Sequence, residues 1–144
     1  MRFLTAAIVV LCLGGVVTSS LALREHYNTE TSPCAIDEVW DCGTVNHSRY
    51  AVLHGVPVAL IGILGYALLA ALAGRFPVIT ALGALLGTLF ALRLTWIEWK
   101  ILEAWCIYCV ASQAVIAAIL GLSVGAVLVA GKDSARRWPV ASGP

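Results

Sequence analysis

The fold turns on AWCIYCVASQAVIAAILGLSVGAVLVAG, residues 104–131, a run of 28 residues without one charged side chain. As a helix rising ~1.5 Å per residue, it is longer than the ~30 Å of hydrocarbon in a bilayer. Cys106 and Cys109 stand near its start, three positions apart and therefore neighbours on one helical face. Three more uncharged stretches precede it: residues 3–23 (21 residues), 55–74 (20) and 76–92 (17). The last of these gains length if Arg93 snorkels toward the interface, which carries the span to Ile97. Composition agrees with lipid as the solvent: 60% of residues are hydrophobic, 12% are charged, and the mean hydropathy is +0.92.

The expected architecture is an all-α membrane protein with four transmembrane helices, at about residues 3–23, 55–74, 76–97 and 104–131. They make one transmembrane domain, residues 1–131, with an outward loop at 24–54 and a cytoplasmic tail at 132–144. Arg2 before an apolar run that ends near Ser20-Leu21-Ala22 also has the outline of a signal peptide. Its apolar core is longer than the ~7–15 residues of such a leader, which favours a retained helix.

Basic residues set the expected orientation. Arg2, Arg75, Lys132, Arg136 and Arg137 fall on one side, with Asp133 as the sole acid. Arg24, Arg49, Arg93 and Lys100 fall on the other, diluted by Glu25, Glu30, Asp37, Glu38, Asp41, Glu98 and Glu103. Both termini are therefore expected in the cytoplasm, and the loops at 24–54 and 93–104 outside.

This threading puts two cysteine pairs on one face of the membrane: Cys34 with Cys42 in the first loop, and Cys106 with Cys109 heading the last helix. Spacing i, i+3 suits the ~4.4–6.8 Å Cα separation of a disulfide, so Cys106 and Cys109 can open and close a bond in place. A helix N-terminus favours the thiolate, and Glu103 opposes it. Cys34 and Cys42, with seven residues between them in CAIDEVWDC, read alone as a structural staple of an exoplasmic loop. Beside a second pair they also read as a mobile dithiol that exchanges with a fixed one. A four-cysteine zinc site departs from the usual C-x₂₋₄-C knuckles. The fifth cysteine, Cys12, falls mid-helix and is expected to pack.

CAIDEVWDCGTVNHSRYAVLHGVPVALIGILGYAL (34–68) together with WCIYC (105–109) resembles the vitamin K epoxide reductase family, specifically its bacterial disulfide-forming members. The resemblance rests on four features in combination: the loop pair, a serine six residues after the second cysteine, a G-x-P turn at Gly55-Val56-Pro57, and a C-x-x-C at the last helix. It implies a four-helix bundle around a quinone of the ubiquinone, menaquinone or vitamin K type, with a short amphipathic lid helix in the first loop. Carried over by position, Cys34 meets a partner, Cys42 relays to Cys106, Cys109 faces the quinone, and Ser48 caps the pocket. Trp105, beside Cys106, is a further candidate for the quinone entrance, although Trp40, Trp96, Trp99 and Trp105 also read as an interfacial belt. Where many relatives have asparagine after the proline, this chain has Val58.

The activity implied is quinone-dependent thiol oxidation. Electrons pass from a thioredoxin-like periplasmic protein, acting in trans, through both cysteine pairs to the quinone, which makes disulfides in a bacterial inner membrane. Two alternatives stand beside it: reduction of vitamin K quinone or its epoxide in the same fold, and a non-catalytic membrane protein held by a structural disulfide or zinc. A net charge of +1 without a basic cluster beyond the tail excludes a nucleic-acid surface. Phosphate-binding and dinucleotide fingerprints are absent from the sequence. Gly62, Gly65, Gly83 and Gly87 are expected to let helices approach closely, and His26, His47 and His54 to be solvated, with His47 or His54 a secondary choice for proton delivery.

Overall fold

The computed structural model describes residues 2–137 and is predominantly helical. Helix α1 runs Arg2–Tyr27, four residues past the expected end at Leu23. Leu23, Arg24 and Glu25 are good helix formers, and charge alone does not stop a helix. After a loop come a six-residue helix α2 (Cys42–His47), a 3₁₀ turn at Arg49–Ala51, and a small hairpin of β1 (Val52–Leu53) and β2 (Val56–Pro57).

The hairpin shortens the second apolar span. His54 and Gly55 form its two-residue turn with φ of 51° and 85°, both in the left-handed region that such tight hairpins require. Helix α3 therefore begins only at Val58 and spans Val58–Leu72, 15 residues against the expected 20. At ~1.5 Å per residue it is about 22 Å long, short of a full hydrocarbon crossing. A turn through Phe76 leads to α4 (Pro77–Ile97), with Pro77 at the first helical position, where its missing N–H costs nothing. A π-helical turn at Glu98–Leu102 prolongs α4, and Glu103, left-handed at φ 51°, ends it. Helix α5 is Ile107–Arg137. The expected helix start at Ala104 is three residues early, because Trp105 is paired with residues 39–41 of the first loop through its backbone. The tail expected from Lys132 is helical as far as Arg137, and its remainder, 138–144, lies outside the described residues.

Helices α1, α4 with its π turn, and α5 are each long and apolar enough to cross a membrane, and α3 is a shorter apolar helix. Helix α1 packs on α3 and α5, α5 packs on α4, and α3 touches α4. The core joins Ile8 and Cys12 of α1, Tyr66 and Leu69 of α3, Ala84 of α4, and Ile116 and Ile119 of α5. Cys12 is a buried packing residue here, as expected. The Tyr66 hydroxyl donates to the Ser112 carbonyl at 2.9 Å and lies 2.8 Å from its hydroxyl, which satisfies a polar group that would otherwise be costly to bury. Outward, Leu64, Leu68, Leu82, Leu89 and Leu128 are all more than half exposed, the surface of an integral membrane protein.

Candidate functional site

The first loop is organised by its own acids. The Asp37 carboxylate accepts the Val39 and Trp40 N–H groups, both at 2.8 Å, which turns the chain back on itself. Asp41 is the N-cap of α2, accepting the Thr44 N–H at 3.1 Å and its hydroxyl at 2.7 Å. Those hydrogen bonds from Thr44 hold the Asp41 carboxyl below its ordinary value. Cys42 thus opens α2, and it is disulfide-bonded to Cys34 with Cα atoms 5.5 Å apart.

A backbone clamp brings the loop to the last helix. The Trp105 N–H donates to the Val39 carbonyl at 2.7 Å, and the Asp41 N–H donates to the Trp105 carbonyl at 3.1 Å. Trp40 and Trp105 are paired as an isolated parallel bridge, with ring centroids 6.4 Å apart. The residues that follow each clamped stretch are Cys42 and Cys106. Both are completely buried, in one cluster with Cys34, Val45 and Ala104. Cys106 and Cys109 are free thiols, Cys106 just ahead of α5 and Cys109 in its first turn.

Two polar residues complete this junction. Asn46, one helical turn after Cys42, donates its amide to the Cys42 carbonyl at 2.8 Å and to the Cys106 sulfur at 3.4 Å. Its own carbonyl accepts from His26 Nδ1 at 2.6 Å, which ties α2 to the end of α1. Glu98 reaches over from the π turn and accepts the Cys106 N–H at 3.2 Å through Oε2. The Cys106 thiol is held below its ordinary value first by the hydrogen bond from the Cys109 thiol and further by the Cys109 N–H and the Asn46 amide, while burial and the Glu98 charge oppose this.

Below the junction is a cavity of about 400 Å³. Apolar groups of α3, α4 and α5, including Val58, Leu69, Phe90 and Ile116, form most of its wall. Asn46, Ser48 and Tyr50 close it from the loop side, and Glu98, Cys109, Tyr66 and Ser112 add polar atoms. An apolar chamber of this size with a few convergent polar groups suits a flat, lipid-soluble ring compound such as a quinone, with a thiol on its wall.

The cysteines named from sequence are therefore brought together: Cys34, Cys42 and Cys106 share one buried cluster, and Cys109 packs against it. Ser48 lines the cavity while its hydroxyl donates to the Val45 carbonyl at 2.8 Å, capping the C-terminus of α2. Trp105 is not among the residues lining the cavity: its backbone is engaged in the clamp and its ring packs on Trp40. His47 and His54 do not line it either; His47 Nδ1 sits 2.9 Å from the Gly43 carbonyl of its own helix. Among the described residues no group of three or more His, Cys, Asp or Glu could hold a metal ion.

Asn46, Glu98, Tyr66 and Ser112 were not legible as site residues. Asn46 had a weak signal, four positions after Cys42 on a helix. Glu98 had a stronger one, a carboxylate at the end of an apolar span, where an ionisable group is functional by default.

The model of the vitamin K epoxide reductase family matches residues 6–124 of the chain. No curated protein matches it.

Proposed function

Because the chain belongs to the vitamin K epoxide reductase family, a family of membrane oxidoreductases that couple thiols to quinones, we propose that it oxidises the thiols of a thioredoxin-like partner and delivers their electrons to a membrane quinone. In this reading α1, α3, α4 and α5 form a four-helix bundle, and the loop with α2 is the lid over its outward end. Both termini are cytoplasmic, and the cysteine pairs face the periplasm.

One observation carries the proposal. Cys42 and Cys106, from pairs 64 positions apart in sequence, share one fully buried cluster, and Cys109 continues from it onto the cavity wall. Exchange between dithiols needs sulfur atoms that can meet in sequence, and this clustering supports such a series.

The relay runs as follows. A partner thiolate attacks Cys34, forming a mixed disulfide and releasing Cys42. Cys42 attacks Cys106 of a Cys106–Cys109 disulfide and releases Cys109. The partner's second thiol resolves the first mixed disulfide and leaves oxidised, and Cys34 then re-forms its bond with Cys42, freeing Cys106. The result is a closed Cys34–Cys42 bond above a Cys106, Cys109 dithiol, the redox arrangement described above. A bound quinone supplies an acceptor for two electrons and two protons. The dithiol closes, both S–H bonds break, and its electron pair and protons pass across the cavity wall. Cys34 is only 4% exposed, so partner docking must first lift part of the loop.

The test is quinone reduction by purified protein with a reduced thioredoxin-like donor. Cys109→Ala should be inactive with every donor. Cys34→Ala should fail with the protein donor but retain turnover with a small dithiol. Full activity in Cys109→Ala, or no quinone reduction by wild type, would overturn the proposal.

A further inference from the structure

Two carboxylates are deeply buried among the described residues, Glu25 and Glu98, each 3% exposed. Only Glu98 lines the cavity, and it does so beside Cys109. It has no ion-pair partner among the described residues; its hydrogen-bond donor is the Cys106 N–H, at 3.2 Å. The π-helical turn that begins at Glu98 is a costly local geometry that often marks a functional position. Burying an unpaired carboxylate is also expensive, and this one is held on the backbone of one inner cysteine and stands on the cavity wall with the other.

Resting on the quinone-linked reading above, we propose that Glu98 is the catalytic proton acceptor of the inner dithiol. When Cys106 and Cys109 close, the S–S bond forms and two S–H bonds break. Two electrons leave through Cys109 to the quinone, and two protons must follow. Cys109 packs against buried Cys106 and lines the cavity together with Glu98, so one carboxylate stands at the dithiol on the side where the quinone would lie. Glu98 takes the Cys109 proton, passes it to a quinone oxygen in the cavity, and with its carboxylate restored takes the proton that Cys106 loses and passes it on in the same way.

Glu98 also caps the approach to α5 through the Cys106 N–H, and the test must separate the two roles. Glu98→Gln keeps an oxygen for that N–H but cannot carry the proton; Glu98→Ala loses both; Glu98→Asp keeps a carboxylate. Two rates are read. One is single-turnover oxidation of the dithiol by a short-chain ubiquinone or menaquinone analogue. The other is iodoacetamide labelling of Cys109 in protein without quinone. General acid–base catalysis contributes ~10²–10⁴-fold, so Glu98→Gln and Glu98→Ala should both slow the quinone step about 10²-fold or more, with Glu98→Asp between them and wild type. Labelling of Glu98→Gln should be at least as fast as wild type, because removing a negative charge beside Cys109 eases thiolate formation.

The crossed result, more available thiolate but slower oxidation, is what a purely structural or purely electrostatic Glu98 would not give. The proposal is overturned if Glu98→Gln oxidises within about threefold of wild type while Glu98→Ala is slow, which assigns Glu98 to capping alone. It is equally overturned if labelling and oxidation slow in parallel, which assigns the effect to displaced cysteines. If wild type itself reduces neither quinone, the quinone-linked reading fails and this proposal with it; if wild type turns over, only Glu98 is in question.

Discussion

Asn46 holds the junction at the scale of one residue, since a single amide spans the Cys42 carbonyl and the Cys106 sulfur. In the relay Cys106 departs as a thiolate when Cys34 recovers Cys42, so its lowered pKa makes it the better leaving group, and alkylation of the free thiol rises with pH and levels off above that pKa. Asn46→Ala removes a donor worth about 1 kcal/mol, so the labelling midpoint of Cys106 should move up and neutral-pH exchange should slow roughly fivefold. A midpoint that stays put would show that Cys109 alone sets this thiol. Asp41 acts on the same junction from the other side. Its carboxyl is lowered from 3.8, so its contribution to stability is complete above that value and is lost as pH falls through the lower folded one. Asp41→Ala should cost ~1 kcal/mol, the usual worth of an N-cap, and speed reduction of the Cys34–Cys42 bond by dithiothreitol at neutral pH. At a pH below the folded value the variant and wild type should converge.

Among the elements, the contact of α1 with α3 is the tightest. A Cβ built on Gly15 would lie 2.5 Å from the Tyr66 ring, a distance that real side chains do not tolerate. Gly15→Ala must therefore move a ring that also holds Ser112, and should destabilise by roughly 1–3 kcal/mol, read as a lower melting temperature in detergent. Of the four glycines expected to permit close packing, Gly62 faces Ser19, Gly83 faces Leu69 and Gly87 faces Ile116, whereas Gly65 has nothing near it. Spacing alone identified the right helices but could not say which glycine meets a neighbour, and it passed over Gly15, which does.

For the whole molecule, the outward apolar leucines and the three long helices make it an integral membrane protein. The proposed orientation predicts the side from which the relay is reached. After reduction, a membrane-impermeant maleimide should label Cys34 in right-side-out membranes and not in sealed inverted ones. Labelling only in inverted membranes would reverse the topology and exclude a periplasmic donor. Trp96 and Trp99 are more than half exposed, as interfacial indoles are, and Lys100 lies 4.0 Å from the Trp99 ring centroid; Trp40 and Trp105 instead pack on each other.

Charge-free length and cysteine spacing were enough to establish a helical membrane protein, with two dithiols and a family pattern around them. Those properties depend on local composition and on residues a few positions apart, which a chain displays without folding. Tertiary structure decided the rest. A hairpin at residues 52–57 shortened α3, and backbone pairing between residues 39–41 and Trp105 delayed α5 and drew Trp105 away from the cavity. Asn46 and Glu98 met Cys106 only because that pairing and a π turn brought distant segments together. Neither contact has a period or a spacing in the sequence: Asn46 lies 60 positions from Cys106, and Glu98, only eight away, reaches it because the chain turns between the π turn and α5.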